Sequence, residues 1–180
     1  MVPVDLLMAE HRLIERMVKL LNHALAKMQA TGQANPKFID IATDFFRVYT
    51  DICHHGKEER ILFSELAGKP LLTEHRATMH QLIQEHEFMR RVVKELIDLK
   101  ERYELGNHET LQGIERGIST LSTLYPKHIE KEEKHFFLPA MDYFSQEERN
   151  AMLKAFPQFD AKLIHELYNE KVIELEQAQE

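Results

Sequence analysis

An all-α chain is predicted, folded as an up-down-up-down four-helix bundle with a C-terminal helical appendage, and three observations predict it. Gly and Pro are scarce, six of each in 180 residues, while good helix formers such as Ala, Leu, Glu, Lys and Arg dominate. Apolar residues recur at three- and four-residue spacing over four long stretches. Short breaker clusters separate these stretches, and short connections force antiparallel neighbours.

The first stretch ends in ATGQANP (30–36), where Pro36 suits the first turn of the next helix. LAGKPLLT (66–73) divides the second helix from the third, and LGN (105–107) divides the third from the fourth. Pro126 falls inside the fourth, where it removes a backbone donor and predicts a kink. SQEE (145–148) reads as a capping box opening a further short helix, which Pro157 interrupts. The expected division is a bundle over 1–143 and a C-terminal helical extension, 144–180, packed on the same domain.

Composition narrows the function classes. The apolar fraction of 43% and charged fraction of 29% are those of a globular chain. A formal charge of -7 without a basic block argues against nucleic acid as a partner. No apolar run reaches the roughly 18 residues of a membrane span, and MVPVDLLMAEH does not read as a secretion signal. The single cysteine, Cys53, fits a reducing, cytoplasmic setting. Eleven histidines are unusual, and no tag-like run accounts for them.

An internal repeat organises them. A shift of 75 lays the first helix on the third, so that Leu7, His11, Ile14 and Val18 meet Leu82, His86, Met89 and Val93. A shift of 73 lays the second on the fourth, so that Phe45, Ile52, His55, Glu59 and Phe63 meet Ile118, Tyr125, His128, Glu132 and Phe136. Each half is then a helical hairpin, and an approximate two-fold axis relates the halves.

At roughly 100° per residue, the apolar stripes of the first, third and fourth helices centre near His11, His86 and His128, with Glu132 close by. On the second helix two i, i+4 pairs compete, His54/Glu58 and His55/Glu59. The stripe Ile41, Phe45, Val48, Ile52, Phe63 favours His55 and Glu59 as inward, with Glu58 flanking and His54 mostly outside. Aligning Lys57–Glu59 with Lys131–Glu133 instead selects His54 and Glu58, at the expense of the hydrophobic match. Cys53 points away from this stripe, and His23, His80, His108 and His165 read as surface. Tyr125 lies on the inward stripe one turn before His128, as packing or as a hydrogen-bond donor to a bound ligand.

Buried carboxylates without partners cost several kcal/mol each. A divalent cation reverses that cost, because neutral imidazole and ionised carboxylate are the ligands it prefers. H-x3-E places a nitrogen and an oxygen donor on one helix face, and two such helices let each Glu bridge a pair of metals. On this reading His11 pairs with His55 and His86 with His128. Positions remain for an oxo or hydroxo bridge and an exogenous ligand. The mixed, open set suits a non-haem di-iron centre better than a closed structural zinc site, with zinc the lesser option.

EHRLIER around His11, HHGKEERILF around His55, QEHEFMRR around His86 and HIEKEEKHFF around His128 together resemble the hemerythrin-like (HHE cation-binding) domains, over about residues 1–143. The resemblance implies two iron ions held by His11, His55, Glu59, His86, His128 and Glu132, and a small ligand such as dioxygen, peroxide or nitric oxide. The family's oxygen carriers place two histidines one turn apart on the third helix. Here Leu82 and Arg90 flank His86 at that spacing, and Glu58, His54 or water is left to fill the vacancy. Two rivals stand beside gas binding: a di-iron enzyme that disproportionates peroxide or acts as an oxidase, and a metal-stabilised helical interaction module. A ferritin-like site fits less well, because Glu59 is followed at the third position by Leu62 rather than by His.

Overall fold

The computed structural model describes residues 2–160 and 163–178, and among them it is helical throughout, without strands. Helix α1 spans Pro3–Thr31; Pro3 occupies its first turn and the Asp5 carboxylate accepts the Val2 N–H at 2.7 Å. It stops at Gly32, which adopts the left-handed conformation (φ 68°) that its missing Cβ permits. Helix α2 (residues 36–67) opens with Asn35 accepting the Phe38 N–H at 3.2 Å and with Pro36 in the first turn. It is a composite: α-helical over Pro36–Asp44, π-helical over Phe45–His55 and Glu58–Phe63, and α-helical again over Ser64–Ala67. Helix α3 spans Thr73–Glu104. Helix α4 (residues 108–141) runs through Pro126 to Lys131, becomes π-helical over Glu132–Phe136 and ends at Met141.

The helices close a ring in which α1 packs on α4, α4 on α3, α3 on α2, and α2 more thinly on α1. Two further helices lie over that thin α1–α2 seam. Helix α5, Gln146–Ala155, carries the expected capping box, with Ser145 Oγ accepting the Glu148 N–H at 3.2 Å and Glu148 Oε2 accepting the Ser145 N–H at 2.8 Å. Helix α6, Ile164–Gln177, buries Ile164, Tyr168 and Val172 at successive four-residue intervals. Arg16 clamps it through Glu176 and Asn169, and Asp44 does so through Tyr168 and Lys171. Between α5 and α6, the Phe159 ring lies on Gly56, where an added Cβ would meet it at 2.7 Å.

The apolar core is not continuous. One cluster gathers Ile14, Met17, Phe46, Met89, Tyr125 and Ile129 with the α6 residues; the other gathers Leu7, Leu62, Phe63, Leu82, Phe136 and Phe137 with Met152 and Phe156. Along every bundle helix the boundary between them falls at polar residues. His11 sits between Leu7 and Ile14, Glu58 between Cys53 and Leu62, His86 between Leu82 and Met89, and Glu132 between Ile129 and Phe136. Filling that layer with Leu would add about 1.5–3 kcal/mol per side chain. The chain forgoes this stabilisation for a sheet of polar groups across its middle.

Candidate metal centre

Five imidazoles and two carboxylates form the layer, all buried: His11 from α1, His54, His55 and Glu58 from α2, His86 from α3, and His128 and Glu132 from α4. Their donor atoms fall into two groups, His11, His54, Glu58, Glu132 and His55, Glu58, His86, His128, with every atom of a group within 4.8 Å of the others. Both carboxylates reach to both sides. Glu132 Oε2 lies 3.2 Å from His11 Nε2 while Oε1 lies 3.1 Å from His128 Nε2. Glu58 Oε1 lies 3.3 Å from His54 Nε2 while Oε2 lies 3.4 Å from His86 Nε2.

The opposite ring nitrogens fix the imidazole tautomers. Each Nδ1 faces a carboxylate outside the layer: His11 faces Glu133 at 2.9 Å, His54 faces Glu10 at 2.9 Å, His86 faces Glu59 at 2.7 Å and His128 faces Glu85 at 2.8 Å, with Asp51 3.4 Å from His55. These carboxylates are in turn paired with cations. Arg12 holds Glu133, Lys57 holds Glu10, Lys131 holds Glu85, and Arg90 holds both Asp51 and Glu59 at 2.6 Å. An Nδ1–H donated outward leaves a bare Nε2 lone pair pointing inward, the outer arrangement that metal-binding histidines use.

The inner atoms fit a cation and little else. His11 Nε2, His54 Nε2 and all four carboxylate oxygens of Glu58 and Glu132 are buried without a hydrogen-bond partner, each an expensive state for a native group. His86 Nε2 and His128 Nε2 face each other at 3.0 Å, so two lone pairs would repel unless a cation or proton lay between them.

Without a metal, protons supply that positive charge. Burial opposes charging His54, but Glu58 and Glu10 outweigh it and lift the imidazole to about 10. Burial likewise opposes charge on His128, yet Glu132 and Glu85 raise it to about 9. His55 goes the other way: burial, then the neighbouring His86, His54 and His128, hold it well below the ordinary range. Glu132 stays ionised far below the usual carboxylate range, because His128 and His11 overcome its burial. Glu10 is held at about 2, its burial outweighed by His54 and Lys57.

The second helix corrects the expected register. Glu59, expected inward, has a side chain 25% exposed and serves as the outer partner of His86, whereas Glu58, expected to flank, is fully buried with both oxygens in the layer. His54, expected outside, joins His11, so the expected pairing of His11 with His55 gives way and His55 lies with His86 and His128. Ile52, placed on the inward stripe, is 57% exposed, and Cys53, placed outside, is 0% exposed. The cause is the π-helical backbone that carries His54 and His55 in one segment and Glu58 and Glu59 in the next, which turns through less than the ~100° per residue of an α-helix and rotates the faces. His11, His55, His86, His128 and Glu132 do lie together in the layer.

Sequence reasoning also missed Glu10, Lys57 and Asp160. Lys57 is 2% exposed and its Nζ contacts Glu10, lies 2.5 Å from Asp160 and 3.4 Å from Cys53 Sγ. The thiol is pushed up to about 12, first by burial and then by Glu10. His165, expected at the surface, approaches Asp160 at 3.2 Å with its side chain partly covered. Glu10, Cys53, Asp160 and His165 also have metal-like spacing, but the Lys57 ammonium already provides the cation there.

A four-helix bundle holding a buried layer of histidines bridged by two glutamates is a domain of the His/carboxylate metal-binding class. Residues 2–139 match the hemerythrin HHE cation binding domain, and the chain belongs to that family. Comparison with curated proteins and with solved structures gave no match. The matched span stops before α5, so both seam-covering helices lie beyond it. No helix among the described residues is long and apolar enough to cross a membrane.

Proposed function

We propose that the polar layer holds two iron ions and that the protein binds dioxygen, peroxide or nitric oxide there, as a carrier or sensor. One observation carries the reading: buried Nε2 atoms and four carboxylate oxygens lack partners while every Nδ1 faces a carboxylate acceptor. His11 and His54 would hold one ion and His55, His86 and His128 the other, with Glu58 and Glu132 shared. Imidazole with carboxylate and no thiolate is the donor set of a reactive iron site rather than of closed structural zinc.

A bound ferrous pair would supply electrons and an open coordination position for the small ligand. The chain's own residues do the remaining work. Glu133, Glu10, Asp51, Glu59 and Glu85 hold the rings in the tautomer that turns Nε2 inward. Arg12, Lys57, Arg90 and Lys131 balance those carboxylates, so the imidazoles keep their Nδ1 protons. Phe137, stacked on His11 at 5.8 Å between centroids, and Phe63, 6.2 Å from His86, help exclude water from one side. The His11/His54 end offers fewer nitrogens and so has more room for an exogenous ligand.

Anaerobic iron loading, a metal count per chain, and the visible spectrum before and after oxygen test this. Two irons and an oxygen-dependent absorbance are expected, lost in His54→Ala and in Glu132→Ala. Retention of zinc in place of iron, with no oxygen-dependent absorbance, would overturn the gas-binding reading in favour of a structural metal site.

A further inference from the structure

A cavity of about 380 Å³ opens on the α2–α3 seam. That is room for roughly a dozen waters, far more than a diatomic gas needs, and it falls in the range of about 300–1,000 Å³ typical of organic-ligand sites. Phe46, Met89, Val93 and Ile97 line it with hydrocarbon, and Tyr125, stacked on Phe46 at 4.8 Å, adds an aromatic wall. Its polar lining includes His55, Asp51 and Arg90. Asp51 lies on the Nδ1 side of His55, so the cavity meets this ring from outside the metal layer.

Charge orients an occupant. Arg90 is committed to Asp51 in the lining and to Glu59 behind it, so its charge is already neutralised beside the Asp51 carboxylate and this part of the lining disfavours an anion. On the solvent side, Arg47 is 64% exposed and only approaches Asp44 at 3.6 Å, a carboxylate that Lys171 and Tyr168 already hold. Lys94, also exposed and lining the cavity, has no ion pair with another described residue. Two available cations at the rim and apolar walls within fit a molecule with a carboxylate at one end and hydrocarbon at the other.

We propose that this cavity binds a small amphipathic organic carboxylate, its head between Arg47 and Lys94 and its apolar body reaching Tyr125 and the outer edge of His55. Any influence of that ligand on the metal centre rests on the function proposed above; the binding itself does not.

Isothermal titration calorimetry of the iron-loaded protein with octanoate, 1-octanol and octylammonium provides the test. Octanoate should bind, and octylammonium should bind at least about tenfold more weakly. Reversing both exposed rim charges, Arg47→Glu with Lys94→Glu, should weaken octanoate by about tenfold and leave octanol unchanged. Ile97→Trp should close the cavity to both; if that variant does not fold, the surface pair decides. No heat at millimolar octanoate, or octanoate binding indifferent to the charge reversal, would overturn the proposal. Iron counted on the same samples separates the two readings: octanoate binding without iron defeats the metal assignment alone, and iron without octanoate binding defeats the cavity alone.

Discussion

The two sides of α2 treat the polar layer in opposite ways. Toward α1, helices α5 and α6 cover the seam, and the cation behind the outer carboxylate, Lys57, is sealed among Glu10, Asp160 and Cys53. Toward α3, the seam opens into the cavity beside His55, and the cation behind the outer carboxylates, Arg90, stands at the cavity wall. The donors are unequal too. The pseudo-two-fold relates Glu10 and His11 to Glu85 and His86 at a shift of 75, and His54, Lys57, Glu58 and Glu59 to His128, Lys131, Glu132 and Glu133 at a shift of 74. Under that second shift His55 corresponds to Ile129, a buried apolar residue. The repeated hairpin therefore builds matched His/Glu sets, and a difference at one equivalent position gives one end of the layer its third imidazole. A duplicated scaffold thus differentiates its two ends at a single equivalent position and in what it packs against each seam.

The largest expected effect removes the feature both ends share. Glu58→Ala should drop bound iron from two per chain to one or none, because both Glu58 oxygens serve the layer. Glu59→Ala should keep both metals, since Glu59 touches only His86 Nδ1 and Arg90. Elemental analysis of the two purified variants decides; the reverse pattern would restore the register that helical periodicity alone favoured.

A second contrast compares the cations behind the matched pair His54 and His128. Lys57→Met removes a buried cation from the buried Glu10, which keeps its hydrogen bond to His54, and from the partly exposed Asp160, so unfolding by urea should show a loss of about 3 kcal/mol. Lys131→Met breaks the matching contact to Glu85, but that side chain is 21% exposed, and a loss of about 1 kcal/mol or less is expected. Equal losses would mean that the covering helices do not seal the α1–α2 seam in solution.

How far these contrasts were legible in the sequence follows from the backbone that carries each residue. The four-helix ring, the Pro36 start, the Ser145 capping box and the inward His11, His86, His128 and Glu132 follow from breakers and periodicity, because α1, α3 and α4 up to Lys131 are regular helix and Glu132 directly follows it. The α2 face departs from the periodicity because its π-helical segments change the angle per residue, and hydrophobic spacing carries no mark of that change. The exposed Ile52 and buried Cys53 are its direct result. The Lys57–Asp160 contact was illegible for a different reason: it joins residues about a hundred positions apart through an extension whose docking no local pattern specifies. The KEE repeat did hold the correct register, because Lys57, Glu58 and Glu59 occupy the same three roles as Lys131, Glu132 and Glu133.

Ile129→His tests whether one residue separates the two ends. A third nitrogen near His11 and His54 should leave iron at two per chain while weakening azide, a probe for an open coordination position, by about tenfold or more. In the metal-free protein the added buried polar ring should cost about 1–3 kcal/mol. Azide binding unchanged in the variant would show that position 129 does not face the His11/His54 end.

The smallest expected effect comes from pH. In the metal-free protein His54 and His128, one from each matched pair, are raised from 6.5 to about 10 and about 9, while His55 is depressed. A raised folded-state pKa contributes stability that is complete below 6.5 and is lost as pH climbs through 9 to 10, so the metal-free protein should melt at progressively lower temperature over that window. Metal binding needs both Nε2 lone pairs bare and must expel the same two protons, so metal affinity should rise across the same range. The gap in Tm between metal-loaded and metal-free protein, followed by circular dichroism from about pH 6 to about pH 10, should therefore widen. In the metal-free protein alone, His54→Ala should weaken the pH dependence of Tm by deleting one of the two raised imidazoles, whereas His55→Ala, which removes a ring held well below the ordinary range, should leave that pH dependence nearly intact. A gap that stays constant in the unaltered protein would mean the inward nitrogens carry no displaceable protons, and the layer would then have to satisfy its buried carboxylates in some other way.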